Sequence, residues 1–110
     1  MKKIMPSLRE KNRYIVYKIS SSSKIAQKKA ENALYDGIVR FLGEFKAAEA
    51  SVRLIDWNNQ KGIIKTNSKF KDKIISAMIL MSKIGETNVN INTIGISGTI
   101  KKARNKFMMN

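Results

Sequence analysis

The sequence predicts a mixed α/β (α+β) protein. The expected form is a ferredoxin-like βαββαβ arrangement, with a four-stranded antiparallel sheet, helices packed on one face, and a short C-terminal basic helix. Three observations predict it. Segments of period-two alternation and segments of three- and four-residue apolar spacing follow one another in the order strand, helix, strand, strand, helix, strand. Each of the two main helical segments is long enough to be a crossover. A chain of 110 residues can enclose one hydrophobic core but not two, so residues 1–110 are expected to form a single domain.

Residues 13–19 are rich in β-branched and aromatic side chains, with Ile15, Tyr17 and Ile19 on one side and Tyr14, Val16 and Lys18 on the other, as in a strand. The serines at 20–23 end that pattern as a loop, and Ser23 stands in N-cap position for the helix that follows. There Ala26, Ala30, Ala33, Leu34, Ile38, Phe41, Leu42 and Phe45 recur at helical spacing, while Lys28, Asn32, Asp36 and Arg40 fall on the wet face. Gly43 is expected to bend or break this helix near its end, since glycine is about 1 kcal/mol worse than alanine in a helix interior. Residues 51–57 and 62–67 form a hairpin around the polar turn Asn58, Asn59, Gln60, Lys61. A second helix is expected over residues 69–84, its stripe running through Phe70, Ile74, Ala77, Met78 and Met81, with Gly85 as terminator. Residues 88–96 alternate Val89, Ile91 and Thr93 against asparagines as the last strand, and Gly98 introduces a short basic helix over residues 99–107.

Charge and missing residue types narrow the function. Lys and Arg number 22 against 8 Asp and Glu, and the net charge of +14 exceeds what solubility asks of a small domain. The partner is expected to be a polyanion. A membrane is disfavoured, because no apolar run approaches the roughly 20 residues of a spanning helix, and no signal-peptide pattern follows Met1. The chain is therefore expected to act inside the cell, in the cytoplasm. With no Cys there is no thiolate nucleophile and no thiolate metal site, and with no His the commonest general base and metal ligand are missing. The scattered carboxylates have structural explanations, such as Asp36 spaced for Arg40 and Asp72 in a first helical turn. No catalytic residue, no metal site and no protein-bound cofactor are expected.

Two stretches bear on nucleic acid. Residues 61–67 open with Lys61–Gly62, as in the commonest single-strand RNA-binding module, but carry no aromatic on which bases would stack. Contacts are therefore expected to run from Lys, Arg and backbone groups to phosphates and sugars. Residues 95–102 place Gly95, Ser97, Gly98 and Thr99 just before Lys101 and Lys102. Backbone amides, a hydroxyl and two ammonium groups there could converge on one phosphate, or the glycines could simply serve a tight strand-to-helix turn. Tyr14 and Trp57 become candidate base-stacking residues only if the sheet face opposite the helices is open.

Several blocks in fixed order then carry a resemblance. Pro6, Ser7, Leu8 and Arg9 leading into Arg13, Tyr14 and Ile15; Phe41, Leu42, Gly43 and Glu44; Lys61, Gly62, Ile63 and Ile64; and residues 95–102 span most of the chain. Together they resemble the protein component 2 family of archaeal ribonuclease P, whose eukaryotic relative is shared by ribonuclease P and ribonuclease MRP. The chain departs from that pattern at Asn12, where a basic residue is expected, and at Thr66, Asn67 and Ser68, which lack a Cys or His.

The resemblance implies a non-catalytic subunit of the ribonucleoprotein that removes the 5′ leader from precursor tRNA. RNA is the catalyst in that family, and Mg2+ is expected on the RNA rather than on the protein. The implied partners are the ribonuclease P RNA, precursor tRNA in the assembled complex, and a barrel-shaped protein subunit. Self-association is a further expectation, since Ile75, Ile79 and Leu80 fall off the main stripe of the second helix. The residues expected to meet RNA are Arg9, Lys11 and Arg13 near the start, Lys61, Lys65 and Lys69 around the third strand, and Ser97, Gly98 and Thr99 in the glycine-serine turn. Lys101, Lys102, Arg104 and Lys106 complete the set on the last helix. Two other classes stay open. A ribosomal-type RNA-assembly protein would bind a different structured RNA, and a small nuclease using Asp or Glu with magnesium would cleave RNA alone.

Overall fold

The structure is a computed structural model and describes residues 11–108. Its elements are β1 (Asn12–Ser21), α1 (Gln27–Leu42), α2 (Glu44–Ala50), β2 (Arg53–Asn58), β3 (Lys61–Asn67), α3 (Lys71–Leu80), β4 (Lys83–Ile84), β5 (Thr87–Ser97) and α4 (Ile100–Ala103). A wider π turn, Arg104–Met108, continues α4. All strand pairs are antiparallel, in the order β2-β3-β1-β5-β4. Among the described residues the sheet thus has five strands rather than the expected four.

The extra strand comes from the end of the second helix. The stripe from Ile74 to Ile84 keeps helical spacing, but Met81 leaves the helix at φ −80°, ψ 119°. Lys83 and Ile84 then pair with Asn88 and Thr87 across a turn in which Gly85 has φ +63°. Gly85 therefore turns a hairpin instead of ending a helix, and Ile84, 1% exposed, still reaches the core.

The first helix also differs in detail. Its N-cap is Ala26, with no side-chain cap, rather than Ser23. It ends at Gly43, whose φ of +88° suits glycine and starts α2 in a new direction. Because the axis changes there, Phe45 does not extend the buried stripe. It is 94% exposed, and Phe41 is 45% exposed.

The main core lies between the sheet and α1 and α3. Alternation puts Ile15, Tyr17 and Ile19 of β1, Ile64 of β3 and Ile91 of β5 against Ala30, Leu34, Ile38, Ile74 and Met78. Each isoleucine, leucine or methionine side chain among these contributes about 1.5–3 kcal/mol when fully buried. The hairpin turn is Asn59–Gln60, both at positive φ, the geometry that matches strand twist. Gln60 also clamps the start of α1. Its Nε2 donates to the Ile25 carbonyl at 2.9 Å, and its Oε1 accepts from the Ile25 amide at 3.2 Å.

Helices do not occupy one face only. Val16 and Ile63, on the other side of β1 and β3, are fully buried under Ala103 of α4, with Tyr14, Ile55, Phe107 and Met108 packed around them. The C-terminal element thus lies across the middle of the sheet face opposite α1 and α3.

Candidate nucleic-acid interface

The C-terminal element is held by three contacts. The Phe107 ring lies over Gly95, where a Cβ would overlap it. Arg104 donates Nε to Asp56 Oδ2 at 2.6 Å and Nη2 to Asp56 Oδ1 at 3.0 Å. Lys61 Nζ donates to the Phe107 carbonyl at 3.4 Å. A bidentate Arg–carboxylate pair fixes orientation as well as distance, so α4 is seated in one register on the sheet.

These contacts favour the turn reading of residues 95–102. Gly95 is needed because an aromatic ring occupies its side-chain space. The Ser97 hydroxyl donates to the Thr99 carbonyl at 3.1 Å and accepts from the Thr99 amide at 3.3 Å. The Thr99 hydroxyl accepts from the Lys102 amide at 3.2 Å, capping α4. Both hydroxyls are thus engaged within the turn. Gly98 has open space around it, and Lys101, Lys102 and Lys106 extend into solvent. Ser97, Gly98, Lys102 and Lys106 line an open pocket of about 660 Å³ beside Phe107.

The expected RNA-binding residues divide into two groups. Lys61 and Lys65 share a face with Ile63, and so lie on the same side of the sheet as Lys101, Lys102, Arg104 and Lys106. Two of these cations are already engaged, Arg104 with the Asp56 carboxylate and Lys61 with the Phe107 carbonyl. Lys11, Arg13 and Lys69 sit at the far end of the β1–β3 ladder, where the Lys11 carbonyl accepts from the Ser68 amide at 2.7 Å. Arg13 pairs in register with Thr66, whose hydroxyl donates to the Ala50 carbonyl on the helix side, so Arg13 faces away from α4. Arg9 lies outside the described residues.

Lys18 and Arg53 are cations of this face that the sequence reading left out. Alternation on β1 already grouped Lys18 with Tyr14 and Val16, but only the register brings Lys18 opposite Lys61 and Arg53 opposite Lys65. The two aromatic candidates are both engaged. Trp57 is half-buried on the helix side at 6.4 Å from the Tyr17 ring, and Tyr14 packs on the cluster under α4. Among the described residues no group of three or more Asp or Glu could hold a metal ion. None of their helices is long and apolar enough to cross a membrane.

Residues 13–108 match the Rpp14/Pop5 family. The chain is 34% identical to ribonuclease P protein component 2 of Archaeoglobus fulgidus over 108 residues, covering 98% of each chain. It is also 34% identical to the protein of that name from Pyrococcus furiosus, covering 97% of this chain and 91% of the relative. In fold it is similar to a chain in the cryo-EM structure of yeast ribonuclease MRP, with a TM-score of 0.65 at 16% identity, over 89% of this chain and 79% of that one. A match that runs from the first core strand through the C-terminal element makes this chain a member of the Rpp14/Pop5 family.

Proposed function

We propose that this chain is a non-catalytic protein subunit of a ribonuclease P type ribonucleoprotein, supporting the RNA that removes the 5′ leader from precursor tRNA. The observation that carries this reading is the family match over residues 13–108, on a chain whose sheet face gathers lysines around α4. Phosphates crowd together when a catalytic RNA folds, and fixed cations relieve that repulsion. The protein acts as one RNA-binding unit in the cytoplasm. Magnesium ions that activate water belong to the RNA, and the protein binds no cofactor of its own. The four longer strands, in the order β2-β3-β1-β5, support reading the core as ferredoxin-like with a two-residue strand added.

The barrel-shaped protein subunit docks on the opposite side of the molecule. Ile79 and Leu80 are 66% and 69% exposed, and Leu80 with Phe41 lines a groove of about 570 Å³ between α1 and α3. Apolar exposure of this extent supports a protein contact. Ile75 packs against the core and is not part of it.

A cleavage assay on precursor tRNA tests the function, with the RNA subunit, this chain and the barrel subunit each omitted in turn. Cleavage at low magnesium is expected to need this chain, and the chain alone is expected to be inactive. Cleavage by the chain alone would establish a nuclease. Unchanged cleavage in its absence would assign it to another structured RNA.

A further inference from the structure

The outer sheet face holds two pairs of like charges in direct register. Lys18 of β1 stands opposite Lys61 of β3, and Arg53 of β2 stands opposite Lys65 of β3. Cross-strand partners have Cβ atoms about 4.5–5.5 Å apart, and like charges there destabilise the ladder. Among the described residues the ion pairs are Lys71–Asp72 and Arg104–Asp56, so no carboxylate neutralises either pair. Asp56, on the same face, is already held by Arg104. Two unneutralised cation pairs on one surface suit an external anion.

Placement gives the anion a shape. Lys61 and Lys65 are four residues apart on β3, so the two pairs lie about 13 Å apart on the same face. The row between them, Val16 and Ile63, is covered by Ala103, and Phe107 covers Gly95. The C-terminal element therefore stands as a ridge with a cation pair on each flank and Lys101, Lys102 and Lys106 exposed along it. One phosphate cannot reach both flanks. The minor groove of A-form RNA is wide and shallow, with a backbone on either side, and can receive such a ridge.

We propose that this face is a two-track phosphate site for double-helical RNA. Lys18–Lys61 grips one backbone, Arg53–Lys65 grips the other, and α4 lies over the minor groove between them. The proposal rests on the reading of the chain as an RNA-binding subunit and names the surface and RNA form it uses. Single strands fit less well, because Tyr14 and Trp57 are packed and offer no open stacking face.

The test uses the full chain, a labelled RNA hairpin with an uninterrupted stem, and an unstructured oligonucleotide of equal length. Lys18→Gln/Lys61→Gln and Arg53→Gln/Lys65→Gln are compared with Lys28→Gln/Lys29→Gln on the exposed face of α1. Each sheet variant is expected to weaken hairpin binding about tenfold or more near 0.1 M salt, and to lower the salt slope by about 0.7 to 0.9 per lost contact. The melting temperature of the Arg53/Lys65 variant should hold or rise, because the repulsion is gone, whereas a merely structural pair would lower it. Lys61 also donates to the Phe107 carbonyl, so the Lys18/Lys61 variant is read by its RNA affinity and salt slope. The control should lose much less affinity. Sheet variants that bind the hairpin as wild type does, or lose equally on the single strand, overturn the proposal while the RNA-binding reading survives. Loss of a protein partner with RNA binding intact would make the face an acidic-protein site and also overturn it. If wild type itself neither binds the hairpin nor supports cleavage, the underlying reading fails.

Discussion

The Phe107 ring occupies the space that a side chain at Gly95 would need. This one contact joins the last strand to the last element of the chain, and it explains a glycine that spacing alone leaves ambiguous. Gly95→Ala is expected to destabilise the protein by about 1–3 kcal/mol, the usual range for forced overpacking. Adding Phe107→Ala should recover part of that loss, so the two effects are non-additive in chemical denaturation. Strict additivity would place the ring elsewhere.

Tyr17 is fully buried, and its hydroxyl has no hydrogen-bond partner among the described residues. The phenol end lies across Gly62, where a Cβ would overlap it, so Lys61–Gly62 is a packing requirement within β3 rather than a turn signal. An unpaired buried hydroxyl costs about 1–3 kcal/mol, so Tyr17→Phe is expected to be neutral or stabilising in urea titrations. Gly62→Ala should destabilise strongly.

Burial, reinforced by the nearby charge of Glu31, pushes the Tyr17 hydroxyl above the ordinary tyrosine range. The folded state therefore holds this proton more tightly than the unfolded state. Its contribution to stability is intact below pH about 10 and is lost as pH rises further. Lysines titrate nearby, so the readout is the difference between wild type and Tyr17→Phe. Wild type should lose stability faster above pH 10, and parallel curves would contradict the assignment.

Lys101 and Lys102 are exposed on α4, and protein cations and magnesium relieve the same phosphate repulsion. Lys101→Glu/Lys102→Glu is expected to depress reconstituted cleavage strongly at low magnesium and much less at high magnesium, with the fold unchanged by circular dichroism. Lys28→Glu/Lys29→Glu serves as the comparison. Equal losses in the two variants would mean that the lysines of α4 are only solvated.

Ile79 and Leu80 are largely exposed, so Ile79→Glu or Leu80→Glu should change stability by no more than about 0.5 kcal/mol. Binding of the barrel subunit should fall about tenfold or more, as expected when an apolar anchor is replaced by a charge. Calorimetry measures this, and light scattering of the chain alone shows whether a second copy uses the surface instead. Unchanged affinity in both variants would remove this exposed end of α3 from the partner interface.

Local physics made much of the protein legible in its sequence. The period-two runs of β1, β2, β3 and β5, the helical spacing of Ala30, Leu34 and Ile38, and the break at Gly43 are written in neighbouring residues. So is the chemistry excluded by having no His and no Cys, and the polyanion implied by a charge of +14. What the sequence could not show depends on residues far apart. Ile84 satisfies a helical stripe and a strand equally well, and only pairing of Lys83 and Ile84 with Asn88 and Thr87 decides between them. Arg104 looks like any other cation of its helix until the fold sets Asp56, 48 residues away, against its guanidinium. Lys18 and Arg53 resemble ordinary surface charges until strand register sets each against another cation. Periodicity records which face a side chain takes, but register and the path of the C-terminal element determine what it meets there. Those are settled by burial summed over the whole sheet, which no local window of sequence contains.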